Sequence, residues 1–240
     1  MYTGVKSLIL KYKKPFNKDV KAQAKAKSRL REEGKSINAK AVETEKLVVL
    51  SEWDLKTKQG EQAHEEIVRR KLKKFPKAIV GKYKKHESSN PLPAESINKL
   101  DLNSRYYEKL VVDNQNMIIG YVDEVFVDEK GYINIQDVKS HNEIRRTYTA
   151  KASNGFTIVE NFYYPVTNLI DCNFIECALQ VSFYMYTLWT YNKKLKPGKL
   201  TMMHVKLDEA TGAIINEQIL ELPYLIDEVK AIIKHQKEIT

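Results

Sequence analysis

Cysteine occurs only twice in this chain of 240 residues, at Cys172 and Cys177. Two thiols are too few for an iron–sulfur cluster or for a zinc site built from thiolates alone, and they argue against a disulfide-stapled scaffold. The reading is two free thiols in or beside a core helix. Long apolar runs are also missing. None approaches the ~20 residues that span a bilayer. Lys6, Lys11, Lys13 and Lys14 interrupt the hydrophobics where a signal peptide would keep them unbroken. The expectation is a soluble, cytoplasmic protein with no membrane partner. Internal repeats and low-complexity tracts are absent. "HEEIV" (64–68) lacks a second histidine four residues on, which removes the zinc-protease reading.

What the chain does have is unevenly placed charge. Its net charge is +9. Residues 1–36 carry eleven Lys/Arg against three acids, and residues 69–86, "RRKLKKFPKAIVGKYKKH", carry nine and no acid. Together these segments exceed the net charge of the whole, so the remainder is acidic. That division predicts a polyanionic partner held against an acid-lined site. Taken alone, the lysine runs describe a solvated helix face equally well.

The apolar content of 42% suits one medium domain. Residues 2–12 read as a short helix or anchored segment, with Val5, Leu8 and Ile9 on one side. Residues 17–33 read as a Lys/Ala-rich helix ending at Gly34. Residues 39–74 read mostly as helix, with Ala63, Ile67 and Leu72 near one face and Pro76 beyond its end. Residues 87–103 carry turn chemistry. The period then changes to two. Strands are predicted over 105–113, 117–128 and 132–140, the last two joined by the turn "DEKG" (128–131). Residues 141–164 are polar, a loop or ragged hairpin. A buried helix over 174–192, a hairpin over 199–208 and 213–222, and a C-terminal helix follow. The fold class is α/β (α+β): a central mixed β-sheet flanked by helices, with an N-terminal helical extension. The expected division is a basic helical region over 1–100 and the sheet with its helices over 101–240, in one compact domain.

The second and third strands hold the chemistry. Side chains alternate along a strand. Ile133, Ile135, Asp137 and Lys139 should share one face, and Asp123, Val125 and Val127 another. Across the tight turn, Asp123 falls near the level of Asp137. Two close carboxylates repel unless a cation sits between them. Oxygen donors without soft partners select Mg²⁺ or Mn²⁺. Lys139 beside such an ion can position or deprotonate a water and stabilise negative charge. A structural Asp137–Lys139 ion pair is the plainer reading, but it leaves Asp123 unexplained. Gln180, on an otherwise apolar helix face, needs a polar partner.

Asp123 followed by Asp137-Val138-Lys139 resembles the D…(D/E)-x-K signature of the PD-(D/E)xK nuclease superfamily. "GYVDEVFVD" (120–128) resembles the G-x-x-D strand of its RecB-like branch. "ALQVSFYMY" (178–186) resembles the branch's Q-x-x-x-Y helix through Gln180 and Tyr184. "GEQAHEEI" (60–67) resembles its G-x-x-x-H helix through His64. D-x-K alone is a weak signal; the motifs in this order, on helix, strands and helix, are a strong one. The likeness spans roughly residues 2–192, and it is greatest to phage exonucleases similar to the mitochondrial genome maintenance exonuclease. "PVTNLIDCNFIECALQVSFYMYTL" (165–188) is much like the run such proteins place before and through that helix. Three features depart from the pattern. "TGVKS" replaces a Ser/Thr-Val-Thr-like segment, though Thr3 and Ser7 remain near. The four cysteines of the related iron–sulfur nucleases are absent. Ser140 follows D-x-K where threonine is frequent.

The resemblance implies a restriction-endonuclease-like core and one or two Mg²⁺ or Mn²⁺ ions held by His64, Asp123, Asp137 and the Val138 carbonyl. Lys139 would orient or activate water. Gln180 would orient Lys139 or that water, and Tyr184 would pack under or contact the strand backbone. The implied function is a DNA exonuclease acting on single-stranded or free-ended DNA and leaving 5′ phosphates. A structure-specific endonuclease on the same fold and a non-cleaving DNA-binding module are the alternatives. A replication or recombination protein is a further expected partner, in a host cytoplasm if the chain is phage-encoded. Glu108 reads by default as an exposed strand acid, with a role behind the metal ligands as the alternative that the resemblance implies, since the branch often has an acid there; His141 reads as an exposed loop residue. Tyr106, Tyr107, Tyr148, Tyr163 and Tyr164 suit either base stacking or strand packing.

Overall fold

Ala22, Ala26 and Leu30 recur every four residues and form the buried stripe of helix α2 (Lys18–Glu32). The small alanines let α2 lie close against α3 (Ala39–Lys74), which buries Val42 and Val49 toward it. Asn17 and Asn38 cap the two helices: their side-chain oxygens accept from the amides of Val20 and Ala41 at 3.0 and 2.9 Å. Gly34, at φ 67°, supplies the left-handed turn after α2. Arg29 crosses between the helices to both oxygens of Glu52 and to Glu45. This computed structural model describes residues 2–81, 91–140, 143–147, 149–151 and 157–239.

The segment read as a short helix or anchored segment over 2–12 divides into β1 (Thr3–Gly4) and α1 (Val5–Leu10), with Val5, Leu8 and Ile9 buried as their spacing predicts. The remaining elements are β2 (Ile79–Val80), α4 (Ala94–Asn98), β3 (Ser104–Asp113), β4 (Ile118–Val127), β5 (Tyr132–Lys139), β6 (Thr149–Lys151), β7 (Thr157–Val159), α5 (Asn173–Tyr191), β8 (Lys196–Leu207), β9 (Ile214–Leu222) and α6 (Ile226–Glu238). The short α4 falls inside the stretch read as a loop. The β6–β7 pair is the ragged hairpin of the polar stretch.

One mixed sheet of seven strands runs in the order β2-β3-β4-β5-β8-β9, with β1 beside β4. The β3–β4–β5 meander is antiparallel, and α5 carries the chain over to β8, which lies parallel to β5. Asp128 closes the β4–β5 turn by accepting from the amides of Lys130 and Tyr132, with Gly131 at φ 80°. Helix α5 is buried nearly all round. Phe174, Ala178, Val181, Met185 and Leu188 join Val122, Val125, Val127, Ile133, Ile135 and Met202 in the main core, which α1 and α6 also enter. A smaller cluster, Ile67 with Met203 and Val205, seats α3 on β8. Among the described residues no helix is long and apolar enough to cross a membrane.

The ladders of β4 leave a fork. On one side β4 pairs with β1 at Ile118 and Ile119, and with β5 only from Glu124 to Val127. Gly120 to Asp123 lie between the two ladders. The site is built there.

Candidate metal centre and its lysine

Asp123 sits at the fork and spans it: its Oδ2 accepts from the Val138 amide at 2.6 Å. The β4–β5 register continued one step places Asp137 opposite Asp123, as the tight turn predicts. The expected face is different. Tyr106 and Val111 on β3, and Val122 and Val125 on β4, all enter the main core. Strict alternation forbids that for residues five or three apart. The period breaks at Glu108, whose φ is 52°. Asp123 lies across from Glu108, at the level the β3–β4 ladder skips; it does not share the buried face of Val125 and Val127, and its carboxylate lies beside His64 of α3. Gly81 makes room beside the break. Its amide donates to the Tyr107 carbonyl at 2.8 Å, and a Cβ there would overlap the Glu108 carbonyl oxygen.

Helix α3 brings the third group. A Cβ at Gly60 would come to 2.5 Å from Ser140 Oγ, so this turn of the helix rests on the end of β5. One turn later, His64 Nε2 lies 3.3 Å from Glu108 Oε1 and 3.7 Å from Asp123 Oδ1. One ligand atom from each of the three falls within 4.8 Å of the others. His64 Nε2 and Glu108 Oε1 are buried without a hydrogen-bond partner among the described residues. Burial raises the Glu108 carboxyl against the pull of His64, with Asp123 and Asp137 adding repulsion. Burial pushes Asp123 up to about 7, repulsion from Asp137 adds to it, and Lys139 and the Val138 amide oppose it. Two buried atoms without a hydrogen-bond partner and a carboxylate raised by burial beside other acids make a group close enough to hold a metal ion. The donor set, one imidazole and two carboxylates, fits a divalent ion.

Asp137 and Lys139 face the other way, toward α5, as their alternation predicts. Lys139 Nζ lies 2.5 Å from Asp137 Oδ2. The same carboxylate accepts from Cys177 Sγ and from Gln180 Nε2, each at 3.4 Å. Gln180 Oε1 accepts from Lys139 at 3.4 Å, and Gln180 Nε2 also donates to the Tyr184 hydroxyl at 3.2 Å. The polar partner that Gln180 required is therefore the Asp137–Lys139 pair. Burial alone would lower the Lys139 ammonium, but Asp137, with help from Cys177 and Asp123, outweighs it and holds the group raised. Tyr184 lies against Gly120, where a Cβ would come to 2.5 Å from the ring's Cε1. The glycine of G-x-x-D and the tyrosine of Q-x-x-x-Y are thus one packing unit.

Sequence reasoning gave Glu108 only as an alternative supporting residue behind the ligands; the structure places its carboxylate beside His64 and Asp123 themselves. Sequence reasoning missed a buried charged cluster next door. Glu124, turned toward α3 with Asp123, is contacted by both Lys71 and Arg105. Lys71 Nζ also reaches Gln136 Oε1 at 2.5 Å. The Arg105 guanidinium lies between the rings of Phe75 and Phe126, at 4.1 and 4.4 Å from their centroids. Lys71 is therefore not a member of a free basic run. A groove of about 690 Å³ runs along α3 past Glu61, Glu65, Val68, Arg69 and Leu72 to His64 and Glu108.

The tyrosines divide. Tyr106 and Tyr107 are buried and unavailable for stacking, whereas Tyr163 and Tyr164 are exposed. Both cysteines are free and buried, in or beside α5. Tyr148, His141 and the basic residues 82–86 lie outside the described residues. Compared with known proteins, the chain matches no family model and no curated protein.

Proposed function

We propose that this chain is a divalent-metal-dependent DNA nuclease of the PD-(D/E)xK superfamily, an exonuclease acting on single-stranded or free-ended DNA. One observation carries the reading. The orphaned His64 Nε2 and Glu108 Oε1 meet Asp123 at a strand fork whose other arm presents the Asp137–Lys139 pair. The order of helix α3, three antiparallel strands, helix α5 and a strand parallel to β5 supports a restriction-endonuclease-like core.

His64, Glu108 and Asp123 would hold Mg²⁺ or Mn²⁺; Asp137, which the resemblance also implies as a ligand with the Val138 carbonyl, is turned toward α5 and held by Lys139, Cys177 and Gln180, and would have to exchange those partners to join the set. The ion supplies a polarised water and positive charge against the phosphate. Lys139 is fixed by Asp137 and Gln180, and its ammonium donates to the water or to a phosphate oxygen. In that ion pair it acts as a charge and an orienting group, not as a proton acceptor. Tyr184, braced on Gly120, fixes Gln180. A water oxygen would bond to phosphorus and release its proton to solvent, the bond to the 3′ oxygen would break with that oxygen taking up a proton from solvent, and the product would carry a 5′ phosphate. The groove along α3 gives the strand its route, with Val68 and Leu72 offering apolar surface to unpaired bases.

The test is a gel assay on end-labelled linear single-stranded DNA, linear duplex and circular single strands with Mg²⁺, Mn²⁺ or EDTA. Metal-dependent loss of linear strands only supports the exonuclease. Cutting of the circle makes it an endonuclease on the same site. Intact DNA under every condition removes the nuclease reading.

A further inference from the structure

At the far end of the sheet from the fork, three connections meet around a cup. The segment from Lys99 to Leu102 leaves α4, the turn at Glu129 to Gly131 joins β4 to β5, and Tyr191 to Leu195 leads from α5 into β8. Together they enclose about 670 Å³. Strand β5 runs from this cup to Lys139, about 23 Å at the usual rise per residue.

The floor is apolar and firmly held. Leu102 and Leu195 flank Gly131; a Cβ there would meet their Cδ2 atoms at 3.6 and 3.5 Å. Leu102 nonetheless keeps 60% of its surface exposed. Asn192 pins the walls by accepting from the Leu100 amide at 3.1 Å and donating to the carbonyls of Asn98 and Leu188. Lys196 closes the turn by donating its amide to Gly131 at 2.8 Å. The cup is thus formed in advance, and a ligand entering it would order little backbone.

The rim carries Lys99, Lys130, Lys193 and Lys194 against Glu129. All four lysines are exposed. They belong to the part of the chain that is net acidic outside residues 1–36 and 69–86. A basic rim gathered from three separate loops, on an acidic part, around a leucine floor has two complementary requirements: negative charge and one large apolar group. We propose that this cup is a docking site for an acidic peptide segment of a partner protein, with one bulky apolar side chain seated on Leu102 and Leu195. A nucleic-acid strand is the less favoured occupant. The cup's floor is leucine, which seats one apolar side chain, whereas unpaired bases stack on aromatic rings. The inference does not depend on the nuclease reading.

Fluorescence anisotropy of the full chain tests it, with a labelled run of aspartates ending in phenylalanine as the probe. The same peptide ending in alanine and a labelled single-stranded oligonucleotide serve as comparisons. Saturable binding of the phenylalanine peptide is expected. Affinity should fall at least about tenfold with the alanine ending, in Lys193→Glu/Lys194→Glu, and in Leu102→Asp, a loss of about 1.4 kcal/mol. These side chains are exposed, so the variants should fold. Absence of saturable binding, equal binding of the two peptides, or unchanged affinity in the variants would overturn the proposal. So would displacement of the peptide by the oligonucleotide with the same sensitivity to the variants, which would give the cup to nucleic acid.

Discussion

His64 Nε2 and Glu108 Oε1 face each other at 3.3 Å, both buried and neither hydrogen-bonded among the described residues. They come from α3 and β3, and Asp123 of β4 completes the set. Leaving a buried polar atom unsatisfied costs about 1–3 kcal/mol. A cation shared between them would remove that cost for both, so the pair is the feature on which the proposed metal site rests.

Metal should therefore stabilise the fold. At a hundredfold excess over Kd, Mn²⁺ should add about 2.7 kcal/mol, or ~5–10 °C in Tm for a chain of this size. His64→Ala and Glu108→Ala should each erase most of that shift while barely lowering the metal-free Tm. A thermal-shift titration reads both.

Metal affinity should depend on pH through Asp123. Its folded pKa of about 7 lies above the ordinary carboxylate value of about 4, so the metal-free fold binds the extra proton in that window. The contribution of this group to metal-free stability is thus present at low pH and lost as pH rises from about 4 to about 7. Metal must displace that proton, and Mn²⁺ affinity should rise up to about tenfold per pH unit below 7 and level off above it. Calorimetric titrations at several pH values, in buffers of different ionisation enthalpy, test this; affinity that is flat with pH and binding without proton release would contradict it.

Lys139→Ala should abolish cleavage, by about a hundredfold or more, while DNA binding and the Mn²⁺ shift remain. Lys139 touches Asp137 and Gln180 but stands outside the His64–Glu108–Asp123 group. Full cleavage by this variant would remove Lys139 from the mechanism.

Gly120→Ala should cost about 1–3 kcal/mol, because the new methyl meets the Tyr184 ring. In a Tyr184→Ala background the same substitution should cost much less. Urea unfolding of the four-member cycle measures the coupling.

Arg105→Ala should destabilise by about 3 kcal/mol, since it removes one of the two cations that hold Glu124 against α3. Its loss should also weaken Mn²⁺ binding, because α3 carries His64 two turns before Lys71, on the same side of the helix. A stability loss with unchanged metal affinity would confine the cluster to a purely structural role.

Local pattern was enough to recover the ends of α2 and α3, the β3–β4–β5 meander and the common face of Asp137 and Lys139. Each depends on caps, turns or alternation within one stretch of chain, and those forces act between neighbours in sequence. Gln180 was legible because a lone amide on an apolar helix face has to find a partner. Glu108 was legible only as an alternative behind the ligands, and Glu124 not at all. Strict alternation would have sent Asp123 to the face of Val125, but alternation fails where Asp123 and Glu108 lie across from each other at the level the β3–β4 ladder skips, and there both carboxylates turn toward His64 of α3. That turn depends on contacts between strands and a helix far apart in the chain. The sequence by itself determined which residues have the chemistry to hold a cation and a phosphate; the tertiary structure decided which of them meet, because a cation site is made by distance across the fold and not by spacing along the chain.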